Sequence, residues 1–65
     1  MKTKTHRLQA FRDNAEEWRW RLRRIRGGQI VAVSGEGYTR MHDLKRAVNE
    51  RRFPLDWSRI EVAFP

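Results

Sequence analysis

The sequence predicts an α+β domain of two layers in the order β-β-β-α-β, with one helix on one face of an antiparallel sheet. Apolar and charged residues alternate with the period of a strand through residues 17–25 and again through 59–64. Apolar residues at helical spacing run through residues 40–52. A chain of 65 residues has room for one small core, so residues 1–65 are expected to form a single domain.

The strand at residues 17–25 is expected to organise the sheet, because its two faces differ sharply. Successive side chains of a strand point to opposite faces. One face therefore carries Trp18, Trp20 and Leu22, and the other carries Arg19, Arg21 and Arg23. Each tryptophan can remove about 150–250 Å² from water. The core is expected on the tryptophan side, and a ligand cage is the alternative role for this pair.

An earlier strand is expected over residues 6–12, after a flexible basic arm of residues 1–5. Leu8 and Ala10 alternate with larger or polar residues and are expected to face the core. Residues 13–16 then form the turn of a hairpin, because Asp and Asn side chains bond their own backbone in turns.

A glycine pair marks the second turn. Gly27 and Gly28 can take the positive φ that tight hairpin connections require. The third strand is expected over residues 29–34. Because every residue from 30 to 33 is apolar, we expect this strand to be covered, at least in part, on both faces.

The helix is predicted over residues 40–52, with Thr39 as its N-cap. Its apolar stripe, which is expected to pack on the tryptophan side of the sheet, consists of Met41, Leu44, Ala47 and Val48. Pro54 ends the helix. The last strand, residues 59–64, can add to its own sheet or to the sheet of a second copy of the chain.

Charge suggests the class of partner. Fifteen Lys and Arg against eight Asp and Glu give a net charge of +7, which attracts polyanions, nucleic acid first among them. The alternative is that this charge serves only solubility and keeps the open face solvated. Gln9 and Phe11 are expected on the same open face and could stack single-stranded bases. The predicted polyanion-binding residues are Arg19, Arg21, Arg23, Arg24, Arg26, Arg51 and Arg52.

Several other classes of function lack the residues that they need. The chain has no cysteine, which excludes disulfides, thiolate zinc sites and cysteine nucleophiles. His6 and His42 have no convergent ligands or catalytic partners, so neither a metal, a cofactor nor an enzyme activity is expected. The glycine-rich loop at residues 34–37 lacks the lysine of a phosphate-binding loop, and we interpret it as a structural turn. No apolar run could span a bilayer, and we expect a soluble cytoplasmic protein.

Several motifs together resemble a known family. They are the run WRWRL at residues 18–22, the glycine turn, QIVA at 29–32, SGEGY at 34–38 and the amphipathic helix. The combination resembles the YegP-like family, a small domain of unknown function. The turn after Arg26 looks one residue longer than usual in that family, and residues 53–58 are richer in aromatics.

The resemblance implies the β-β-β-α-β fold, present as tandem repeats or as single copies that exchange their C-terminal strands to form one sheet. It implies a homodimer whose interface includes Ile60, Val62 and Phe64, and Trp57 in the preceding connector can join that interface or cap the core. The sequence therefore predicts a non-enzymatic, homodimeric binding module for nucleic acid or another acidic partner. The alternative is a protein-interaction or structural accessory module that binds no nucleic acid.

Overall fold

The structure is a computed structural model that describes residues 3–64. Its elements are β1 (His6–Arg12), β2 (Trp18–Arg24), β3 (Ile30–Val33), α1 (Met41–Asn49), a 3₁₀ turn (Trp57–Arg59) and β4 (Ile60–Ala63). The α+β class and the order β-β-β-α-β are confirmed. Met1, Lys2 and Pro65, which include part of the predicted arm, lie outside the described residues.

The four strands form one sheet in the order β3-β2-β1-β4. The pairs β1–β2 and β2–β3 are antiparallel, whereas β4 runs parallel to β1, with His6 opposite Ile60. The prediction of a wholly antiparallel sheet is therefore wrong, and the sheet is mixed. The physical reason is the crossover through α1, since a helical connection returns the chain to the end of the sheet at which β1 begins.

Both hairpin turns form at the predicted positions. In the first turn the Asp13 carboxylate accepts hydrogen bonds from the backbone N–H groups of Ala15 at 2.9 Å and Glu17 at 3.0 Å. In the second turn Gly27 and Gly28 have φ of 90° and 71°. Side chains disfavour these values, so the glycines suit this turn for a steric reason.

The core lies between the sheet and α1, on the side that the tryptophans predict. Leu8 of β1 and Leu44 of α1 are completely buried. They pack with Trp20, Leu22, Val48 and Ile60 in one cluster. The Trp20 ring also meets the Phe53 ring, with centroids 5.1 Å apart. Trp20 is thus a core residue, and Trp18 packs partly buried at the edge of the same cluster.

The helix is shorter than predicted at both ends. Its N-cap is Arg40, not Thr39, because Arg40 has extended backbone angles while its carbonyl accepts the N–H of Leu44. At the C-terminus Arg51 takes a φ of 51°. Its N–H bonds the Val48 carbonyl and the next N–H bonds the Ala47 carbonyl, which is the Schellman arrangement. This left-handed residue ends the helix before Pro54 is reached.

The third strand is more exposed than predicted. Ile30, Val31 and Val33 retain 45, 46 and 51 % of their accessible surface. The expectation that this strand is covered on both faces is wrong for the described chain. It occupies an edge of the sheet, and the register sets Ile30 opposite Arg23 and Val33 opposite Arg21, so both lie on the open face, away from the helix that packs over β2.

Candidate polyanion-binding surface

Five side chains from β1 and β2 meet on the face of the sheet opposite α1. The antiparallel register sets Arg7 opposite Arg23 and Gln9 opposite Arg21, while the alternate residues Leu8 and Leu22 face the core. We define the open-face cluster as Arg7, Gln9, Phe11, Arg21 and Arg23. The side-chain period of the strands and the register of one hairpin are sufficient to create it.

Arg21 is held at the centre of this cluster by neutral groups. Its Nε donates to the Gln9 amide oxygen at 3.3 Å. Its guanidinium carbon lies 5.1 Å from the centroid of the Phe11 ring, which is a cation–π contact. Both contacts orient the guanidinium without neutralising it. The prediction that Gln9 and Phe11 share the arginine face is confirmed.

Arg7 and Arg23 form a like-charged pair across the two strands. Residues directly opposite each other in a sheet have Cβ atoms about 4.5–5.5 Å apart, and like charges there are destabilising. Arg7 has a partial counter-charge in Glu61 of β4, with Nη2 and Oε2 3.6 Å apart. The Nε atoms of both arginines are buried without a hydrogen-bond partner. A bound anion would relieve this repulsion.

Arg19, unlike Arg21 and Arg23, forms an ion pair with a carboxylate of the domain. Its Nε donates to the Asp13 carboxylate, and its Nη1 donates to the Ser34 carbonyl at 3.1 Å. The hydrogen bond from Arg19, followed by backbone hydrogen bonds, lowers the pKa of Asp13 below its ordinary value. Arg19 therefore joins the first turn to the end of β3, and its charge is balanced within the domain.

Charge is distributed unevenly along the sheet. The end where β1 begins and β2 finishes carries Lys4, Arg7, Arg23, Arg24 and Arg26. The other end, around the first turn and the loop after β3, carries Asp13, Glu16, Glu17 and Glu36. There, burial and the nearby charge of Glu36 raise the pKa of Tyr38. Arg12 and Arg19 lie at this second end as well, and Asp56 and Glu61 lie at the first, so the two ends differ in their balance of charge and the first is the more basic.

The two predicted arginines after the helix lie apart from the open-face cluster. Arg51 and Arg52 follow α1 on the opposite side of the sheet, where the adjoining Phe53 packs on Trp20. Arg52 Nε also donates to Glu50 at 2.8 Å. Conversely, Arg7 belongs to the cluster although the predicted set does not include it. The alternation of residues 6–12 could have predicted this position for Arg7. Since Leu8 faces the core, the neighbouring Arg7 faces the open side of the sheet.

The glycine-rich loop has a structural role. The Ser34 hydroxyl accepts the N–H of Trp20 at 3.2 Å and donates to the Glu36 carbonyl at 3.1 Å. A Cβ on Gly37 would lie 2.7 Å from the Glu17 carboxylate, so the loop and Glu17 are in close contact. The Ser34 hydroxyl thus joins the loop to β2 and closes the turn at Glu36.

The predicted interface residues divide into two groups. Ile60 is buried in the domain's own core, and Trp57 packs on that core while its Nε1 donates to the Phe53 carbonyl at 3.0 Å. Val62 retains 48 % of its accessible surface and lines a hollow of about 200 Å³ with Phe64 and the side of α1. Phe64 is partly buried against the core, like Trp57, so Val62 is the exposed member of the predicted set.

Residues 3–64 contain neither a cluster of metal ligands nor a membrane-spanning helix. No group of three His, Asp or Glu residues there could hold a metal ion. The one helix of that range is too short to cross a membrane.

Comparison with known proteins bears on the family of this chain. A family model described as a domain of unknown function, DUF1508, matches residues 13–50. No curated protein and no solved structure matches the chain. The matched segment contains the WRWRL strand, the glycine turn and the SGEGY loop, so the resemblance to the YegP-like family is confirmed. Because residues 13–50 make up more than half of the chain, the chain belongs to the DUF1508 family.

Proposed function

We propose that this domain is a non-enzymatic binding module for polyanions, with nucleic acid as the first candidate. The observation that carries the proposal is the open-face cluster, in which Arg7, Arg21 and Arg23 are brought together while only one of them has a partial carboxylate partner. Keeping like charges opposite each other costs stability. A bound polyanion would compensate for that cost.

Phosphate neutralisation would be the mechanism. A guanidinium can donate two parallel hydrogen bonds to one phosphate, which favours arginine over lysine at such contacts. Arg24 and Arg26 extend the basic surface beyond the end of β2. Phe11 offers an aromatic face that tolerates any base, and sequence-specific readout is not part of the proposal.

The surface can be tested by matched triple variants. We expect R7Q/R21Q/R23Q to weaken binding of a labelled single-stranded oligonucleotide by at least about tenfold in fluorescence anisotropy. The control R40Q/K45Q/R46Q makes the same change in net charge on and beside α1. Equal losses in the two variants would contradict a localised surface, and so would an unchanged affinity of the first variant. Circular dichroism checks that both variants remain folded.

A protein-interaction module is the second candidate, and the exposed third strand favours it. An edge strand with exposed Ile30, Val31 and Val33 can accept an extended segment of another chain as an added strand. Positive charge nearby would favour an acidic segment and would raise the rate of association more than the affinity. If V31K abolishes capture of an acidic partner and leaves oligonucleotide binding intact, this second function is supported. If V31K leaves capture of the acidic partner intact, this second function is contradicted.

We also propose that two copies associate as a homodimer by exchanging β4. Support comes from the family resemblance and from Val62, which is exposed on the edge strand β4. In an exchanged dimer Ile60 would fill the partner's core in the way that it fills its own here. Light scattering after gel filtration is expected to give a dimer for the full chain. Removal of residues 59–65 should abolish that dimer and the cooperative melt, and a truncated chain that stays dimeric with the same melting profile would contradict the exchange.

A further inference from the structure

A hollow of about 550 Å³ opens at the more basic end of the domain, apart from the open face. It lies where β2 finishes beside the residues that precede β1. Its lining residues are Thr3, Lys4, Thr5, Arg24, Ile25 and Arg26. The volume falls within the range of about 300–1,000 Å³ that is typical of small-molecule sites.

The charge of this hollow is one-sided. Three of the six described residues that line it are cationic, and none of these six is acidic. Within residues 3–64, Arg24 and Arg26 make no ion pair, and the Lys4 ammonium only donates to the neutral carbonyl of Ser58 at 3.4 Å. The nearest carboxylates are Asp56, which lies close to Thr5 and bonds Ser58, and Glu61, which lies beside Arg7. Neither lines the hollow among the described residues, so the cations that line it favour an anion.

The backbone around the hollow is held in place by hydrogen bonds. The N–H of Ile25 donates to the Thr5 carbonyl at 3.1 Å, and the N–H of Thr5 donates to the Arg59 carbonyl at 2.9 Å. On the other side, the Gly28 N–H donates to the Arg24 carbonyl at 3.1 Å. The concave shape thus results from paired segments of the fold and does not depend on a single side chain.

We infer that this hollow binds the terminal phosphomonoester of a nucleotide, either free or at the end of a nucleic acid strand. A terminal phosphate carries about 1.5 to 2 negative charges near neutral pH, compared with one for an internal phosphodiester. Three cations suit that higher charge. The volume exceeds what a phosphate alone would fill, and the exposed side chain of Ile25 provides an apolar wall for a sugar or base.

This inference rests on the proposed function, because it adds a strand-end site to the polyanion surface. The hollow lies at the end of β2, where Arg23 belongs to the open-face cluster and the next residue, Arg24, lines the hollow. Because consecutive side chains of a strand point to opposite faces, a nucleic acid strand would have to pass from the open face around this end of the sheet to place its terminal phosphate at the hollow. An oligonucleotide with a terminal phosphate should bind more tightly than one of the same sequence that ends in a hydroxyl.

The test uses the full chain and two single-stranded oligonucleotides labelled at the 3′ end, one with a 5′-phosphate and one with a 5′-hydroxyl. We expect the 5′-phosphate to strengthen binding about fivefold or more. The variant R24Q/R26Q is expected to lose this preference while it still binds the 5′-hydroxyl strand. R40Q/K45Q, which has the same net charge, should keep the preference. Adenosine monophosphate is titrated alone to detect binding of a free nucleotide.

The outcomes separate this inference from the proposed function. Binding of the 5′-hydroxyl strand with no gain from the phosphate, and no binding of the mononucleotide, overturns the inference and leaves the proposed function standing. Mononucleotide binding that requires Arg24 and Arg26, without strand binding, supports the hollow and overturns the nucleic acid function. A 5′-phosphate preference that survives R24Q/R26Q overturns the assignment to the hollow.

Discussion

The opposed pair Arg7 and Arg23 gives the polyanion surface a stability cost that can be measured. We expect R23Q to stabilise the fold, because it removes one of two like charges on directly opposite residues. The Arg7 side chain is 40 % exposed, so solvent screens much of this repulsion. The expected gain is about 0.5 kcal/mol. For a domain of this size that gain corresponds to a rise in Tm of about 2–4 °C.

Thermal unfolding by circular dichroism measures this effect, and oligonucleotide anisotropy measures the accompanying loss of binding. The rise in Tm should be larger at low salt, since added salt screens the repulsion. R40Q is the matched control, because Arg40 has no ion pair within residues 3–64 and no like-charged residue opposite it in a sheet. We expect its Tm to change less than that of R23Q.

Three results would contradict this account of the pair. A lower Tm for R23Q at low salt would mean that the packed stem of Arg23 contributes more than the repulsion costs. An equal rise in R23Q and R40Q would mean that net charge, and not the opposed pair, sets the stability. Unchanged oligonucleotide affinity in R23Q would separate the pair from binding.

Three further substitutions test the core, the first turn and the helix end. L44A removes a completely buried side chain and should cost about 2–5 kcal/mol, measured by urea unfolding. That is a large part of the roughly 3–10 kcal/mol expected for a domain of this length. D13N should destabilise the fold at neutral pH, and the difference from the parent should shrink as the pH falls below about 4. R51G should raise the free energy of unfolding by up to about 1 kcal/mol, since Arg51 has a φ of 51°.

The pH dependence of D13N follows from the sign of the pKa shift. Folding lowers the pKa of Asp13, so its carboxylate stabilises the fold above the unfolded pKa, and this contribution is lost as the pH falls through the folded value. A stability difference between D13N and the parent that does not vary between pH 6 and pH 2 would contradict this assignment. An unchanged melt for L44A would contradict the assigned core. A lower Tm for R51G would show that the side chain matters more than the strained backbone.

Local patterns predict much of this fold. The alternation through Trp18–Arg24 identifies both faces of the sheet, and the apolar spacing identifies the buried side of α1. Asp13 and the glycine pair mark the two turns. Each of these signals depends on residues that are close in sequence, where strand period, helix period and turn chemistry act directly.

Longer-range features were not predictable from such patterns. The parallel pairing of β4 depends on where the crossover through α1 returns the chain. The exposure of β3 depends on its place at the sheet edge and on the register that sets Ile30 and Val33 beside the open-face arginines. The apolar composition of residues 30–33 gives no information about an uncovered edge. These features are set by the placement of whole elements.

The candidate site was predicted only in part, because local patterns do not show which side chains are brought together by the register and the turns. Alternation identifies Arg21 and Arg23 on the open face, but only the register shows that Arg7 lies opposite Arg23. The ion pair between Arg19 and Asp13 spans six residues across a turn, and the sequence pattern treats Arg19 as equivalent to the other two arginines. The ion pair makes Arg19 less available to a ligand than Arg21 and Arg23, and this difference is visible only in the structure.

The salt dependence of oligonucleotide binding tests the central claim most directly. Three open-face arginines that each contact one phosphate of a single strand predict a slope of about −2 for log K against log salt concentration. Binding should persist near physiological ionic strength and exceed the affinity for heparin, a polyanion without bases. The R7Q/R21Q/R23Q variant should make the slope clearly less negative, leaving only the contribution of the remaining cations such as Arg24 and Arg26. A parent protein that binds only at low salt, or that binds heparin equally well, would contradict a nucleic acid surface on the open face.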